Sequence, residues 1–392
     1  MRTYRGLFGP QLNAEAIASK WQGKKRIPHI RQDGKNLVLD ITQGSGWDFG
    51  VLIPSLREEG ASKEFRFKIQ SPTFDAAGSS VNIGRLLQTL FGFTPRVKFD
   101  GLIAGAVGES DQWGRLIARS LDDWGIKYRF FPRTFYPGQP GQTAFTLGLI
   151  EGLGTTLFCH KPPYKLNASF WAERLVDPMN DFVVMSSVRE TELLFTKLLF
   201  EGSPHAVKLF TPSREVLENP ALRKILLEVM VLADIVIMND REMGELNRKK
   251  GKNYIEILRS LAKEVVVQKK ADSTKQWIFI VTLGSKGAAA AIVSGEDIEV
   301  IEQTAVKVNL KDRTGAGDAF AAGFLWRYLL KKKDIRSALR AGAIMAALNV
   351  AGRGGNYAAS WITGQSGRGR SFPRSENEQR RLLNKLKRIL NI

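Results

Sequence analysis

Cysteine is almost missing from this chain of 392 residues. Cys159 stands alone, which excludes an intramolecular disulfide and any cysteine-rich zinc site and fits a reducing compartment. Histidine is nearly as scarce, and its three copies are too scattered to suggest a metal cluster. No apolar run reaches the roughly 18 residues of a membrane-spanning helix, and the basic N-terminus lacks the apolar core of a secretory signal. These absences predict a cytoplasmic protein. Phosphate loops of the G-x-x-x-x-G-K-[ST] type are missing, and GAGDAF at 315–320 does not complete G-x-G-x-x-G, so the P-loop and dinucleotide readings fail.

Acidic residues are also in deficit, 39 against 58 lysines and arginines, for a net charge of +19. The excess is concentrated at the ends: residues 1–35 and 364–392 each hold eight basic and two acidic residues, so the two flanks carry +12. Nucleotide phosphates need local positive potential in a pocket, but they do not need basic flanks. Those ask for a separate explanation, either ordinary solvated charge or non-specific contact with nucleic acid or another polyanion. With 43% hydrophobic residues, the chain is globular in composition and long enough for one large α/β domain with a smaller appendage, or for two domains.

The patterning favours the first arrangement. NLVLDIT at 36–42 reads as a first strand, followed by QGSGWDFG, a loop that delivers Asp48. KEFRFKI at 63–69 alternates polar with apolar residues, and 143–150 and 154–158 supply further short strands, enough for a small β lid. Asp75 precedes a helical pattern built on Val81, Leu86, Leu87 and Leu90 and is expected to be its N-cap. From 181 onward strands alternate with helices: DFVVMSS, a helix near 189–200, HAVKLF, a helix near 217–232, then DIVIMN and WIFIVTLG. Such alternation predicts a mostly parallel sheet flanked by helices. Short strands at 288–293 and 298–303 fit an edge hairpin, and helices near 317–332 and 335–350 complete the layer.

The most informative stretch is DRTGAGDAFAAGFL at 312–325. A Gly315-Ala316-Gly317 turn at a helix start presents backbone N–H groups that favour an anion. Asp318 follows immediately. A carboxylate beside a phosphate site is explicable if it takes the proton from an attacking hydroxyl while the amides absorb developing charge. The plain alternative is a glycine turn before a core helix.

These residues resemble the C-terminal signature of the ribokinase-like carbohydrate kinases, the pfkB family. AAGSSVNIG at 76–84, AVGESDQWG at 106–114, NDRE at 239–242 and VTLGSKG at 281–287 resemble further motifs of that family, in its order. Arg313 and Gly84 depart from the usual residues at their positions. The resemblance implies a three-layer α/β sandwich with a mostly parallel central sheet and a small β lid. The chain would then divide into a basic N-terminal extension (1–35), the kinase domain (36–363), and a basic linker with a C-terminal helix (364–392).

The implied activity is ATP-dependent phosphorylation of a hydroxyl on a sugar or sugar-like metabolite, nucleosides included. Asp318 would be the base and Gly315, Ala316 and Gly317 the anion hole. Thr282, Gly284 and Gly287 would bind nucleotide, while Asp48, Gly78, Ser79 and Asn82 would bind the acceptor. Asn239 and Glu242 lie one helical turn apart and would serve Mg²⁺ through water, their plain alternative being an N-cap and a surface charge. Asp312 and Thr314 would serve a monovalent cation such as K⁺. A lid strand edge offers pairing for a homodimer. From another class comes a low-turnover ribokinase-like component of a nucleic-acid complex, favoured by the charge and opposed by the intact GAGD.

The tail has its own pattern. Ser375 and Glu378 fit a capping box, and Leu382, Leu383, Leu386, Ile389 and Leu390 recur at helical spacing among basic residues. A terminal helix is expected, docked on its own domain, on a partner groove, on an anionic membrane surface or on nucleic acid.

Overall fold

A computed structural model of the chain describes residues 29–33, 36–41, 63–67, 78–94, 97, 99–107, 112–132, 145–151, 154–160, 166–247, 253–268, 276–331 and 334–363. Asp48, Asp75 and the expected C-terminal helix lie outside them.

The first elements along the chain are β1 (His29–Asp33), β2 (Asn36–Ile41), β3 (Lys63–Phe67), α1 (Ser79–Gly92), β4 (Leu102–Val107), α2 (Gln112–Asp123) and β5 (Lys127–Pro132). Next come β6 (Phe145–Glu151), β7 (Gly154–His160), α3 (Ala168–Leu175), β8 (Phe182–Val188), α4 (Glu190–Glu201) and β9 (Val207–Pro212). Helices α5 (Arg214–Glu218) and α6 (Arg223–Leu232), strand β10 (Ile235–Asn239), then α7 (Asp240–Asn247) and α8 (Tyr254–Gln268) follow. The described chain finishes with β11 (Gln276–Thr282), β12 (Ala288–Ser294), β13 (Asp297–Gln303), α9 (Ala316–Leu330), α10 (Ile335–Val350) and α11 (Tyr357–Thr363).

Two units divide these elements. The smaller takes residues 1–74 and 144–161 and contains the antiparallel sheet β1-β2-β3 and the hairpin β6-β7. Pairing begins at His29, so the first strand of this sheet precedes NLVLDIT and lies inside the basic N-terminal segment. The larger unit holds a six-stranded sheet in the order β13-β12-β11-β10-β9-β8, with β8 to β11 parallel and β12-β13 an antiparallel edge hairpin. It also contains the parallel pair β4-β5, which the sequence pattern had not singled out.

Strand residues explain the layering. On β10, Ile235 and Ile237 join one core while Val236 and Met238 join the other; on β11, Ile278 and Ile280 oppose Trp277, Phe279 and Val281 in the same way. Side chains two apart share a face, so a sheet covered on both sides needs apolar residues at every position. That is why IVIM and WIFIV read as continuous runs. One core is closed by α4, α6 and α8, the other by α1, α9 and α10. Phe279 and Phe324 are fully buried, each burial contributing about 1.5–3 kcal/mol.

Two local expectations change. The helix expected over 217–232 is broken at Asn219–Pro220, where Asn219 caps a short 3-10 turn and proline starts it, since its ring admits the first turn but not a helix interior. The cap of α1 is Gly78 and not Asp75. At Gly84 a Cβ would stand 2.6 Å from Cδ1 of Ile103, so this departure from the family residue lets α1 approach β4 closely.

Candidate active site

Parallel strands deliver their carboxyl ends to one edge of the sheet, the edge where open α/β sheets bind ligands. There lie Ser186 and Ser187 near the end of β8, Thr211 near the end of β9, Asn239 at the end of β10 and Thr282 at the end of β11, the last two directly paired in register. Ser187 is the extra residue of a bulge between Ser186 and Val188 and has φ 51°, a left-handed conformation rare outside glycine. Its N–H donates to Oγ1 of Thr211 at 2.8 Å, and its Oγ lies 2.7 Å from Oγ of Ser79. Ser80 and Ser186 pair likewise at 3.0 Å. Two hydroxyl pairs thereby fix the start of α1 against the end of β8.

Asp318 arrives from the opposite direction in sequence. Gly315 caps α9 with φ 72°, and a Cβ there would sit 2.6 Å from the carbonyl oxygen of Gly355. Only glycine fits both requirements. Asp318 thus falls in the first turn of α9. Nδ2 of Asn82 donates to its Oδ2 at 2.7 Å. Although part of the residue's surface remains open, protein around the carboxyl raises its pKa, and hydrogen bonds from Asn82 and Ser79 pull it back only in part.

The amides are not distributed as expected. Ala316 donates its N–H to the carbonyl of Arg313 at 3.2 Å, closing the turn on itself, whereas no backbone acceptor meets those of Gly317 and Asp318. Ala316 therefore drops out of the expected donors, while the N–H of Gly315, like those of Gly317 and Asp318, meets no backbone acceptor. Gly317 is exposed, and a Cβ there would have nothing within 4 Å.

Around this turn a second glycine-rich loop, Gly352-Arg353-Gly354-Gly355, was not anticipated. Gly354 donates its N–H to Oδ2 of Asp312 at 2.8 Å, and a Cβ on Gly355 would stand 2.9 Å from Nδ2 of Asn82. Asn349 fastens the assembly: Nδ2 donates to the carbonyl of Thr314 at 2.8 Å and Oδ1 accepts the N–H of Ala358 at 3.0 Å. The signal was visible as three glycines in four residues, but nothing in the sequence tied them to Asp312 or Asn82.

Asn239 and Glu242 make the capping arrangement in full. The Asn239 N–H donates to Oε2 of Glu242 at 2.8 Å, and the Glu242 N–H donates to Oδ1 of Asn239 at 2.9 Å. Burial raises the pKa of Glu242 despite these bonds, and the Asp318 charge adds to the rise. Among the described residues no three His, Cys, Asp or Glu side chains cluster as a metal site. A cage made of protein alone is therefore lacking there; a divalent cation would be held through water, with Asn239 and Glu242 the residues to hold it. Asp312 and Thr314 are already hydrogen-bonded within the fold. Oδ1 of Asp312 accepts both the N–H and the hydroxyl of Thr314, Oδ2 accepts Gly354, and the Thr314 carbonyl is taken by Asn349. Arg313 between them is exposed.

On the nucleotide side, Gly284 has φ 58° and open space beside it. Gly287 is different, because a Cβ there would lie 2.0 Å from the carbonyl oxygen of Gln303, so its first duty is to let two backbones cross. Gly78 caps α1 and is exposed with φ 117°.

Residues 54–362 match the model of the pfkB family carbohydrate kinases, more than half of the chain, and the chain belongs to that family. Among curated proteins it is 32% identical over 142 residues to a deoxyribokinase of Salmonella typhi, a match that takes in 36% of this chain and 42% of that relative's length. Its fold is that of a ribokinase from Giardia lamblia (TM-score 0.58, 18% identity, 74% of this chain and 91% of that one). A fructokinase from Vibrio cholerae, solved with fructose, ADP and calcium, is similar as well (TM-score 0.53, 18% identity, 74% and 90%). No helix among the described residues is long and apolar enough to cross a membrane.

Proposed function

We propose that this chain is a phosphotransferase that moves the γ-phosphoryl group of ATP to a hydroxyl of a sugar or sugar-like metabolite, nucleosides included. One observation carries the reading: a carboxylate with a raised pKa, oriented by Asn82 and Ser79, stands in the first helical turn beside two amides without backbone acceptors. Asp318 accepts the proton of the acceptor hydroxyl as the new O–P bond forms and the bond from the γ-phosphorus to the ADP oxygen breaks. A raised pKa suits it, since a base poised nearer neutral pH holds the proton more firmly once it has taken it. The Gly317 and Asp318 amides, with the positive end of α9 behind them, stabilise charge on the transferring group.

Ser79 and Asn82 orient the base and, with Gly78, the acceptor; for Asp48, outside the described residues, that role is what the family resemblance implies. Thr282 and the Gly284 turn take the nucleotide side, at the strand end next to Asn239. Mg²⁺ supplies neutralisation of phosphate charge when bound, held through water by Asn239 and Glu242. No step is assigned to a monovalent cation at Asp312 and Thr314, which are hydrogen-bonded to each other, to Gly354 and to Asn349. The alternative of a nucleic-acid component draws only on the basic flanks, and residues 364–392 are outside the described residues.

A panel of sugars and nucleosides, tested with the purified chain for acceptor-dependent ADP release, decides the matter. At least one acceptor should release ADP in proportion to its own phosphorylation, and Asp318→Asn should remove that release. Release that no acceptor stimulates would refute the assignment.

A further inference from the structure

A second constellation lies far from Asp318, toward the other end of the same helix. Arg327 follows Asp318 by nine positions on α9, about 13 Å along the axis. It is 5% exposed; its Nε donates to the hydroxyl of Ser337, while its Nη1 is closed off from solvent and meets no hydrogen-bond acceptor. A buried guanidinium N–H left unmet is costly, and native structures seldom tolerate it without a reason. This side chain lines a groove of about 440 Å³ between β13 and the first turns of α10. Arg336 and Arg340 stand on the same wall, with Ser337 and Gln303 adding polar groups.

The charges of the groove favour an anion. Three guanidiniums face two carboxylates, an excess of one positive charge: Asp334 accepts the N–H of Ser337 at 3.1 Å as the cap of α10 and also acts on the Arg327 charge, and Glu302 accepts the hydroxyl of Tyr254. Arg336 is held at 2.7 Å by Glu299, but that pair is widely exposed and worth little, so its guanidinium can turn to a ligand. Arg340 is exposed. The start of α10, a helix of 16 residues, adds its positive end to the same space. The volume lies in the range of small-molecule sites and exceeds what a lone phosphate ion fills.

We propose that this groove binds a phosphorylated small metabolite, its phosphate gripped by Arg327, Arg336 and Arg340, at a site separate from the one around Asp318. Guanidinium forks match phosphate oxygens two at a time, and a modest side-chain turn gives Nη1 of Arg327 the acceptor it lacks.

Calorimetry on the full chain carrying Gly317→Val, which obstructs the anion turn at Asp318, tests this. Glucose 6-phosphate and inorganic phosphate are titrated separately. The ester should bind once per chain, and Arg340→Glu or Arg327→Met should each weaken it about tenfold or more. Arg340→Glu changes an exposed residue, so it keeps the test decisive should Arg327→Met fail to fold; a melting curve accompanies each variant. Absence of ester binding at millimolar concentration, or binding indifferent to Arg340→Glu, overturns the proposal. Equal affinity for inorganic phosphate overturns the assignment to an ester.

Discussion

Replacing Asn82 by alanine separates orientation of the base from binding of the acceptor. Nδ2 of Asn82 donates to Oδ2 of Asp318 at 2.7 Å, and the residue is 7% exposed, so water does not simply take its place. A hydrogen bond to a charged group contributes about 1.5–3 kcal/mol, which corresponds to roughly 10- to 100-fold in rate when the ionised base is the reactive form. The same bond lowers the pKa of Asp318 against the larger effect of burial, so its loss lets the pKa climb further. Asn82→Ala should therefore lower kcat by that factor at the pH of the wild-type acid limb and move the limb to higher pH. The loss should shrink as pH rises and the carboxylate ionises. Initial rates of acceptor-dependent ADP release across a pH series, at saturating acceptor, give both quantities. If the limb stays in place while only the KM for acceptor rises, Asn82 holds the substrate and not the base, and the reasoning fails.

Asp318→Asn should cost at least ~100-fold in kcat, the low end for a positioned general base, while leaving ATP affinity within a few fold. It should also stabilise the fold: the raised pKa means the folded protein holds this proton more tightly than the unfolded chain, so the cost of ionisation is absent below the unfolded pKa and complete above the folded one. The melting-temperature advantage of the variant should grow as pH rises through that window, and a gap that ignores pH would contradict it. Gly315→Ala forces a Cβ to 2.6 Å from the Gly355 carbonyl at φ 72° and should cost roughly 1–3 kcal/mol by denaturant titration. Gly317→Val meets open space, so it should stay within about 1 kcal/mol of wild type yet weaken ATP binding. Unaltered ATP binding by calorimetry would remove these amides from the site. Glu242→Gln keeps an acceptor for the Asn239 N–H and so preserves the cap, but should raise several-fold the Mg²⁺ needed for half-maximal activity; an unchanged Mg²⁺ titration would leave the pair a cap only.

Much of the architecture was fixed by local pattern. IVIM and WIFIV are legible as strands buried on both faces because no polar residue interrupts them, and the alternation after 181 gives a parallel sheet because each crossover is long enough for a helix. Asp318 was legible because turn, carboxylate and small-residue helix are contiguous, so the chemistry needs no distant partner to be suspected. Pro220 was equally visible, and its break in the helix was missed only because the apolar spacing continues past it. What the sequence could not decide are relations across long separations. Asn82 and Asp318 are 236 positions apart, Ser79 and Ser187 108. Nothing local distinguishes an asparagine that faces a ligand from one that holds Asp318. The Ala316 amide, counted as an anion donor from its place in the motif, is spent on Arg313 because the left-handed Gly315 turns the backbone back on itself. Asp312 reads in the sequence only as a cation ligand, but Gly354, which only the packing of α10 against α9 brings near, donates to its second oxygen. Residue types and spacing set which groups are available; the tertiary fold, by choosing the partner of each donor and acceptor, decided which of them remain free to act.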